Sequence, residues 1–248
     1  RFSDLYALDG DFVRLDRTFE HVEAADQPRL TLLTRVRLAT GDDGRMLIPG
    51  SLYNGNPSST LLGPSLAFAP GSVGLYEEHR LPIPMANVES AVAGLRLHGS
   101  LLALPSKLAQ GHKGDDQWWS LGLEFGEGFC DLLSVSGPVA TNGQKSHLYG
   151  HRNGFDLYDE VWLDVQGPIA FRKTLFLDLG LGARPGHSFR RMLWKAYDVL
   201  QPTPTPHLPF AQAMDLKLRY AKGTFFRDEA GAAGYCQWPW PNRAFQFG

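Results

Sequence analysis

The stretch Ile169–Leu200, IAFRKTLFLDLGLGARPGHSFRRMLWKAYDVL, contains the point at which the chain changes from strand-like to helix-like sequence. Its first part, Ile169–Leu179, is the last of several strand-like runs. After Gly186 the apolar residues recur with the period of a helix, at Phe189, Met192, Leu193, Ala196 and Leu200. We therefore expect one all-β block to end before Gly186 and a different, helical part of the protein to begin.

The sequence before this change predicts antiparallel β structure. Leu30–Leu38 alternates apolar residues with Thr and Arg, as a half-buried strand does. Turn-forming Gly, Pro, Asn and Asp separate further runs of this kind, which are Ala91–Leu104 with a turn expected at His98-Gly99-Ser100, Trp118–Phe125, Asp131–Ser136, Tyr158–Val165 and Ile169–Leu179. Strands at this spacing, with no helices between them, predict an antiparallel β-sandwich over residues 1–182.

The remaining sequence predicts two helices with a stiff connection between them. Residues 183–209 read as a linker, with one helix that has Ser188 as its N-cap and a proline-rich connector after it. A second apolar stripe starts at Phe210 and is expected to end at Gly223. Two helices alone cannot bury these stripes on both sides. Residues 210–248 therefore predict the start of a helical domain that continues beyond Gly248.

Composition excludes several classes of partner. The chain has 248 residues and a net charge of −2, with 24 basic and 26 acidic residues well mixed, so it offers no basic surface for nucleic acid. No apolar run reaches the length of a membrane span. Nucleotide-binding glycine motifs and a Cys-x-x-Cys pair are also missing, so no cofactor is expected. Cys130 and Cys236 are expected to be free thiols.

Both ends suggest a truncated protein. Arg1 is not an initiator, and Gly248 follows an aromatic run rather than a polar tail. The sequence therefore leaves the cellular compartment and the oligomeric state open.

Two segments of the β part carry candidate binding residues. Asn54 and Asn56, beside Tyr53, form a turn whose carboxamides can hydrogen-bond a polyol, although such turns also serve structure alone. Glu77-Glu78-His79-Arg80 packs four titratable groups before the rigid run Leu81-Pro82-Ile83-Pro84-Met85, with Asn87 and Glu89 close behind. A solvated charge run is the alternative. Catalytic groups on loops need rigid support, so we expect this segment to face a site.

A third candidate segment ends the chain. In Trp238-Pro239-Trp240-Pro241 and the residues after it, proline stiffens the backbone while Trp240, Asn242 and Arg243 can line a polar, aromatic cleft. The alternative is that these aromatic residues pack as core. His147 and His151 have the spacing of a helical metal pair, but Gly150 between them opposes a helix, and we expect no metal site.

The order of these features resembles a known family. A β-sandwich that passes through a helix and a linker into Thr224-Phe225-Phe226 and Asn242-Arg243-Ala244-Phe245-Gln246-Phe247-Gly248 is similar to the front of bacterial six-hairpin glycosidases. Tyr53-Asn54-Gly55-Asn56-Pro57 and Glu78-His79-Arg80-Leu81-Pro82-Ile83-Pro84 also resemble sandwich loops of that superfamily. The resemblance implies a mainly β fold, with a supersandwich-like antiparallel sandwich packed on an (α/α)6 toroid that is only begun here.

The resemblance also implies a chemistry. Two carboxylates usually cleave the glycosidic bond of an oligo- or polysaccharide, and here that pair is expected to lie in helices beyond Gly248. Glu78 is the candidate catalytic carboxylate within the chain, as a binding or auxiliary acid. His79, Arg80, Asn54 and Asn56 would line the cleft from the sandwich side, and Trp240, Asn242 and Arg243 from the toroid side. Two alternatives stay open, a polysaccharide lyase acting beside a uronate carboxylate and a non-catalytic carbohydrate-binding sandwich.

Overall fold

The protein is mainly β, and its sheets are antiparallel. A computed structural model describes residues 1–24, 27–41, 44–50, 52–53, 73–106, 119–136, 141–142, 163–165, 167–182, 184–202, 208–229 and 232–235. The chain divides into two compact units, Arg1–Gln201 and Pro202–Gly248.

Two antiparallel sheets make up most of the first unit. Its strands are β1 Phe2–Asp9, β2 Phe12–His21, β3 Gln27–Leu30, β4 Leu33–Ala39, β5 Arg45–Ile48, β6 Leu52–Tyr53, β7 Val73–Glu77, β8 Met85–Val92, β9 Leu95–Ala103, β10 Ser120–Gly126, β11 Phe129–Val135, β12 Thr141–Asn142, β13 Leu163–Val165 and β14 Ile169–Leu181. The larger sheet has seven strands in the order β1-β2-β14-β9-β8-β5-β6, and the smaller has five in the order β12-β7-β10-β11-β4. A third pairing joins β13 to β3.

The two sheets share one hydrophobic core. Inward-facing residues of the larger sheet, among them Leu101 and Leu175, pack in the same buried cluster as Leu121 and Leu132 of the smaller sheet. Gly99 shows how closely the sheets approach, because a Cβ at that position would lie 2.6 Å from a methyl carbon of Leu38. Apolar residues on the inward faces of both sheets therefore account for the mainly β structure that the sequence predicts.

Several strand and turn predictions are confirmed, and one turn is wrong. Glu127-Gly128 closes the hairpin between β10 and β11, within the break expected between the runs Trp118–Phe125 and Asp131–Ser136. The turn predicted at His98-Gly99-Ser100 lies instead inside β9, and the chain reverses at Ala93-Gly94. Both of these residues have positive φ, 50° and 79°, as the two central residues of a type I′ hairpin turn require. The predicted single strand Leu30–Leu38 is divided between β3 and β4.

Helix α1, Arg190–Leu200, belongs to the first unit and packs on the larger sheet. Its buried residues Met192 and Ala196 contact a cluster that contains Met85, Leu102 and Phe176. The helix ends at Leu200, and the C-cap residue Gln201 has a left-handed backbone conformation and precedes Pro202. The prediction that Ser188 caps this helix is wrong. The N-cap position is Phe189, and no side chain caps it.

The second unit opens with helix α2, Phe210–Thr224, as the sequence predicts. The helix passes through Gly223, the expected end, and stops one residue later. A hairpin of β15, Phe226–Glu229, and β16, Ala232–Tyr235, follows it as a separate two-stranded sheet. Neither helix of the described residues is long and apolar enough to cross a membrane.

Candidate functional site

The predicted segment Glu78–Arg80 forms a single 3-10 turn between the two sheets. It follows β7 of the smaller sheet and leads, through Leu81 and the proline-containing run after it, into β8 of the larger sheet. The Glu78 N–H donates to the Trp119 carbonyl at 3.0 Å, which extends the pairing of β7 with β10. The backbone of the turn is therefore held by sheet hydrogen bonding on its N-terminal side.

Glu78 lies in the interior and forms a buried ion pair with Lys173 of β14. The side chains are 0% and 2% exposed, respectively. One carboxylate oxygen accepts from the Lys173 ammonium, and the other accepts from the Ser106 N–H at 2.7 Å. Lys173 also donates to the Leu104 carbonyl at 2.8 Å and to the Ser106 hydroxyl at 3.3 Å. All three ammonium donors thus have acceptors, as a buried lysine requires.

The pKa values of Glu78 and Lys173 are both shifted by their burial and by their pairing. Burial raises the pKa of the Glu78 carboxyl above its ordinary value, while the charge of Lys173 opposes that shift. Burial likewise lowers the pKa of the Lys173 ammonium, with Glu78 opposing. Each group is costly to bury alone, and the pair ties the turn that follows β7 of the smaller sheet to β14 of the larger sheet. In this geometry Glu78 holds the turn and does not face solvent.

His79 and Arg80 present the outer side of the same turn. Their side chains are 29% and 49% exposed. Glu77, which is largely buried, accepts a hydrogen bond from Arg80 and lies 3.6 Å from the His79 ring nitrogen. The guanidinium of Arg80 and the imidazole of His79 therefore both lie beside the Glu77 carboxylate. Both groups can hydrogen-bond a hydroxyl or carboxylate ligand.

The structure brings together only part of the predicted site. Glu78, His79 and Arg80 are adjacent on one turn, as their sequence positions require. Asn54, Asn56, Trp240, Asn242 and Arg243 lie outside the described residues, so their roles stay predictions. Trp119 is buried beside Phe19 and Phe171.

A separate cleft lies on the outer face of the larger sheet. It has a volume of about 280 Å³ and is lined by Arg45, Met46, Leu47, Asn87, Glu89, Gly186 and Phe189. Asn87 and Glu89 are the residues that the sequence places just after the charged turn. They face this cleft rather than His79 and Arg80 because alternate residues of β8 point to the side that carries helix α1.

Asn87 and Glu89 anchor the start of helix α1. The buried Glu89 carboxylate accepts from the Gly186 N–H and, at 3.3 Å, from the Ser188 N–H. The Ser188 hydroxyl donates to the Asn87 side chain at 3.0 Å, and Asn87 donates to the Ser100 hydroxyl at 2.9 Å. Ser188 is thus bonded to the sheet, which explains why it does not cap the helix.

Sequence reasoning missed a buried polar group beside this anchor. His98 of β9 and Asp178 of β14 are 5% and 1% exposed, and their nearest polar atoms are 3.7 Å apart. Arg191 of helix α1 lies 3.6 Å from Asp178. In the described part of the chain, the ring nitrogens of His98 and the carboxylate oxygens of Asp178 have no hydrogen-bond partner.

The alternation of residue types along β9 is a sequence signal for the buried His98. The even positions of β9 carry Arg96, His98 and Ser100, while odd positions carry mainly leucine, which is the period of a strand. The glycine next to His98 suggested a turn and obscured that pattern. Within the described residues, no cluster of three or more His, Cys, Asp or Glu side chains is arranged to hold a metal.

Comparison with protein-family models, curated proteins and solved structures found no match for this chain.

Proposed function

We propose that the chain is the β-rich part of a carbohydrate-active enzyme that hydrolyses glycosidic bonds. In this proposal the two sheets form a supersandwich-like β-sandwich, and helix α2 begins an (α/α)6 toroid. The order of parts supports it, because a mainly β unit is followed by a second unit that opens with a helix. The proposed substrate is an oligo- or polysaccharide.

The observation that carries the proposal is the rigid presentation of His79 and Arg80. Their turn is fixed from below by the buried Glu78–Lys173 pair and from the side by Glu77. A ligand rich in hydroxyl groups gains most from donors that are already oriented, because little side-chain freedom is lost on binding. We assign sugar contact to His79 and Arg80, and we assign to Glu78 the role of positioning their turn.

Glycosidic hydrolysis needs a pair of carboxylates that can reach the scissile bond. Glu77 and Glu78 are both occupied by basic partners, and Glu78 is fully buried. We therefore place the acid and the base of the reaction outside this turn. Because both carboxylates are paired with basic side chains, a non-catalytic sandwich that binds carbohydrate is the second candidate. A lyase ranks below these, since Glu77 neutralises part of the positive charge that a uronate would require.

One set of assays separates these candidates. The 248-residue chain is incubated with neutral and uronate-containing polysaccharides, and three signals are followed: reducing ends, ultraviolet absorbance of unsaturated products, and retardation in affinity gels. Hydrolysis releases reducing ends without absorbance, and a lyase produces both. Retardation alone shows that this chain binds carbohydrate without cleaving it, as expected of a binding module or of an enzyme whose carboxylate pair lies outside these 248 residues. Absence of all three signals across the panel would overturn the carbohydrate proposal.

Variants of the turn then test the assigned contacts. Arg80→Gln is expected to weaken saccharide binding about tenfold or more, because a hydrogen bond to a charged group contributes roughly 1.5–3 kcal/mol. His79→Gln is expected to weaken it about two- to tenfold, because an ordinary hydrogen bond contributes roughly 0.5–1.5 kcal/mol. Arg190→Gln is a matched control, since Arg190 is exposed at the start of helix α1. If both turn variants bind saccharide with unchanged affinity, His79 and Arg80 do not contact the sugar, and the binding surface lies in another part of the chain.

A further inference from the structure

Strand β1 is an exposed edge of the larger sheet. It pairs with β2 on one side, and no other strand that the structure describes pairs with its opposite side. Seven of its eight residues are exposed. An edge of this kind presents a row of backbone donors and acceptors that another strand can satisfy.

The free backbone groups of β1 can be assigned to particular residues. Arg1 and Glu20 exchange both backbone hydrogen bonds, and the register with β2 continues unbroken from Phe2 to Asp9. Because such exchanges alternate along an antiparallel pair, the odd residues of β1 bond to β2. The N–H and C=O groups of Phe2, Asp4, Tyr6 and Leu8 therefore point away from the sheet.

Protection against edge pairing is weak in this strand. Sequence FSDLYALD contains no lysine and no proline, and its pairing shows no bulge. The one charge near its centre, Asp4, forms two hydrogen bonds with Arg17 at 2.8 and 2.7 Å. Phe2, Tyr6 and Leu8 leave 62%, 61% and 83% of their surface exposed. Natural edge strands usually carry a lysine, a proline or a bulge that hinders pairing with another chain.

The sequence of β1 is also complementary to itself. If two copies pair antiparallel about Leu5, the facing pairs are Phe2 with Leu8, Ser3 with Ala7, and Asp4 with Tyr6. Apolar residues then face apolar ones, small residues face small ones, and a carboxylate faces a phenol. The even residues, whose backbone groups are free, form the hydrogen-bonded pairs. No like charges lie opposite one another.

We propose that β1 is a dimerisation edge, through which two copies of this chain pair antiparallel about Leu5 and form one continuous sheet. The partner is a second copy because the complementarity of the strand is with itself. Phe2, Tyr6 and Leu8 lie on the same side as the core residues Leu15 and Phe19, so pairing buries their exposed surface against the partner strand. This inference is independent of the proposed activity.

Cysteine cross-linking tests the register directly. All variants are made in a Cys236→Ser background, and Cys130 is buried. Leu5 would face Leu5 as a non-hydrogen-bonded pair with Cα atoms about 4.5 Å apart, which a disulfide can bridge. Mild oxidation of Leu5→Cys should yield a covalent dimer on a non-reducing gel. Ser3→Cys alone should not, since its two copies would lie about 13 Å apart along the strand, whereas a mixture of Ser3→Cys with Ala7→Cys should cross-link.

Sedimentation supplies a second readout. The weight-average mass of the unmodified chain should double as concentration rises. Leu5→Lys should remain monomeric because it places two ammonium groups face to face. Leu95→Lys, on an exposed residue of β9, is the matched control and should still dimerise. Circular dichroism confirms that each variant folds. A monomer at every concentration, a dimer that survives Leu5→Lys, or failure of Leu5→Cys to cross-link would overturn the proposal.

Discussion

Ala93 occupies a backbone conformation that residues with a side chain rarely adopt. Its φ is 50°, and it forms the two-residue turn between β8 and β9 with Gly94. A left-handed conformation costs an alanine roughly 1–2 kcal/mol, and asparagine tolerates it better. The turn is nevertheless retained because the strands on both sides pair along their whole length.

We expect Ala93→Asn to raise the free energy of unfolding by about 1 kcal/mol, since Asn-Gly is the favoured sequence for this turn. Urea denaturation of the purified chain measures the change. The same substitution at Ala170, an exposed residue of β14, has no such strain to relieve. An equal gain at both positions would show that the effect is unrelated to the turn.

Glu78 and Lys173 depend on each other. Removing either partner leaves a buried, uncompensated group, so Glu78→Gln or Lys173→Met alone should lower the free energy of unfolding by about 3–5 kcal/mol. The double variant should lose clearly less than the sum of the two single losses. A complete double-mutant cycle in urea measures this coupling, and additive losses would contradict the ion pair.

At the scale of elements, helix α1 packs on the larger sheet and belongs to the first unit. We expect Met192→Ala to lower the free energy of unfolding by roughly 2–5 kcal/mol, because it opens a cavity against the larger sheet. Trp194 lies on the same helix and is 72% exposed, so Trp194→Ala should change stability little. Similar effects of both substitutions, measured by urea denaturation, would argue against the observed packing.

The contact of β2 with β14 should depend on pH through Asp16. Burial opposes its ionisation, but hydrogen bonds from Thr174 and from the guanidiniums of Arg14 and Arg172 leave the pKa of Asp16 below its ordinary value. A carboxylate of this kind stabilises the fold at pH above its unfolded pKa of about 3.9. This contribution is lost as pH falls through the lower folded pKa.

Asp16→Asn should therefore destabilise the protein at neutral pH, and its difference from the unmodified chain should shrink below pH about 3.9. Thermal unfolding across a pH series measures both. A difference that stays constant down to the acid limit would mean that the hydrogen bonds matter and the charge does not.

At the scale of the whole molecule, the division into two units predicts independent folding of the first. The four hydrophobic clusters of the described residues all lie within Arg1–Gln201. A chain that ends after Gln201 should unfold in one cooperative transition, at a temperature close to that of the first unit in the whole chain. Calorimetry of both proteins tests this, and a truncated chain without a cooperative transition would contradict it.

The sequence by itself determined the class of the structure. Alternation predicted strands such as Ile169–Leu179, turn-forming glycines predicted the break before Asp131, and a period near 3.6 predicted both helices. These signals are local, because an amphipathic segment must repeat its apolar residues with the period of its own backbone. The adjacency of Glu78, His79 and Arg80 on one rigid turn is local in the same sense.

Only the tertiary structure decided which distant residues meet. Glu78 pairs with Lys173, His98 lies beside Asp178, and Ser188 is bonded to Asn87 rather than capping its helix. These pairings follow from strand order and register. A sheet places residues from any part of the chain side by side, and the cost of closing the intervening loops depends only weakly on their length. Sequence separation therefore carries little information about such contacts.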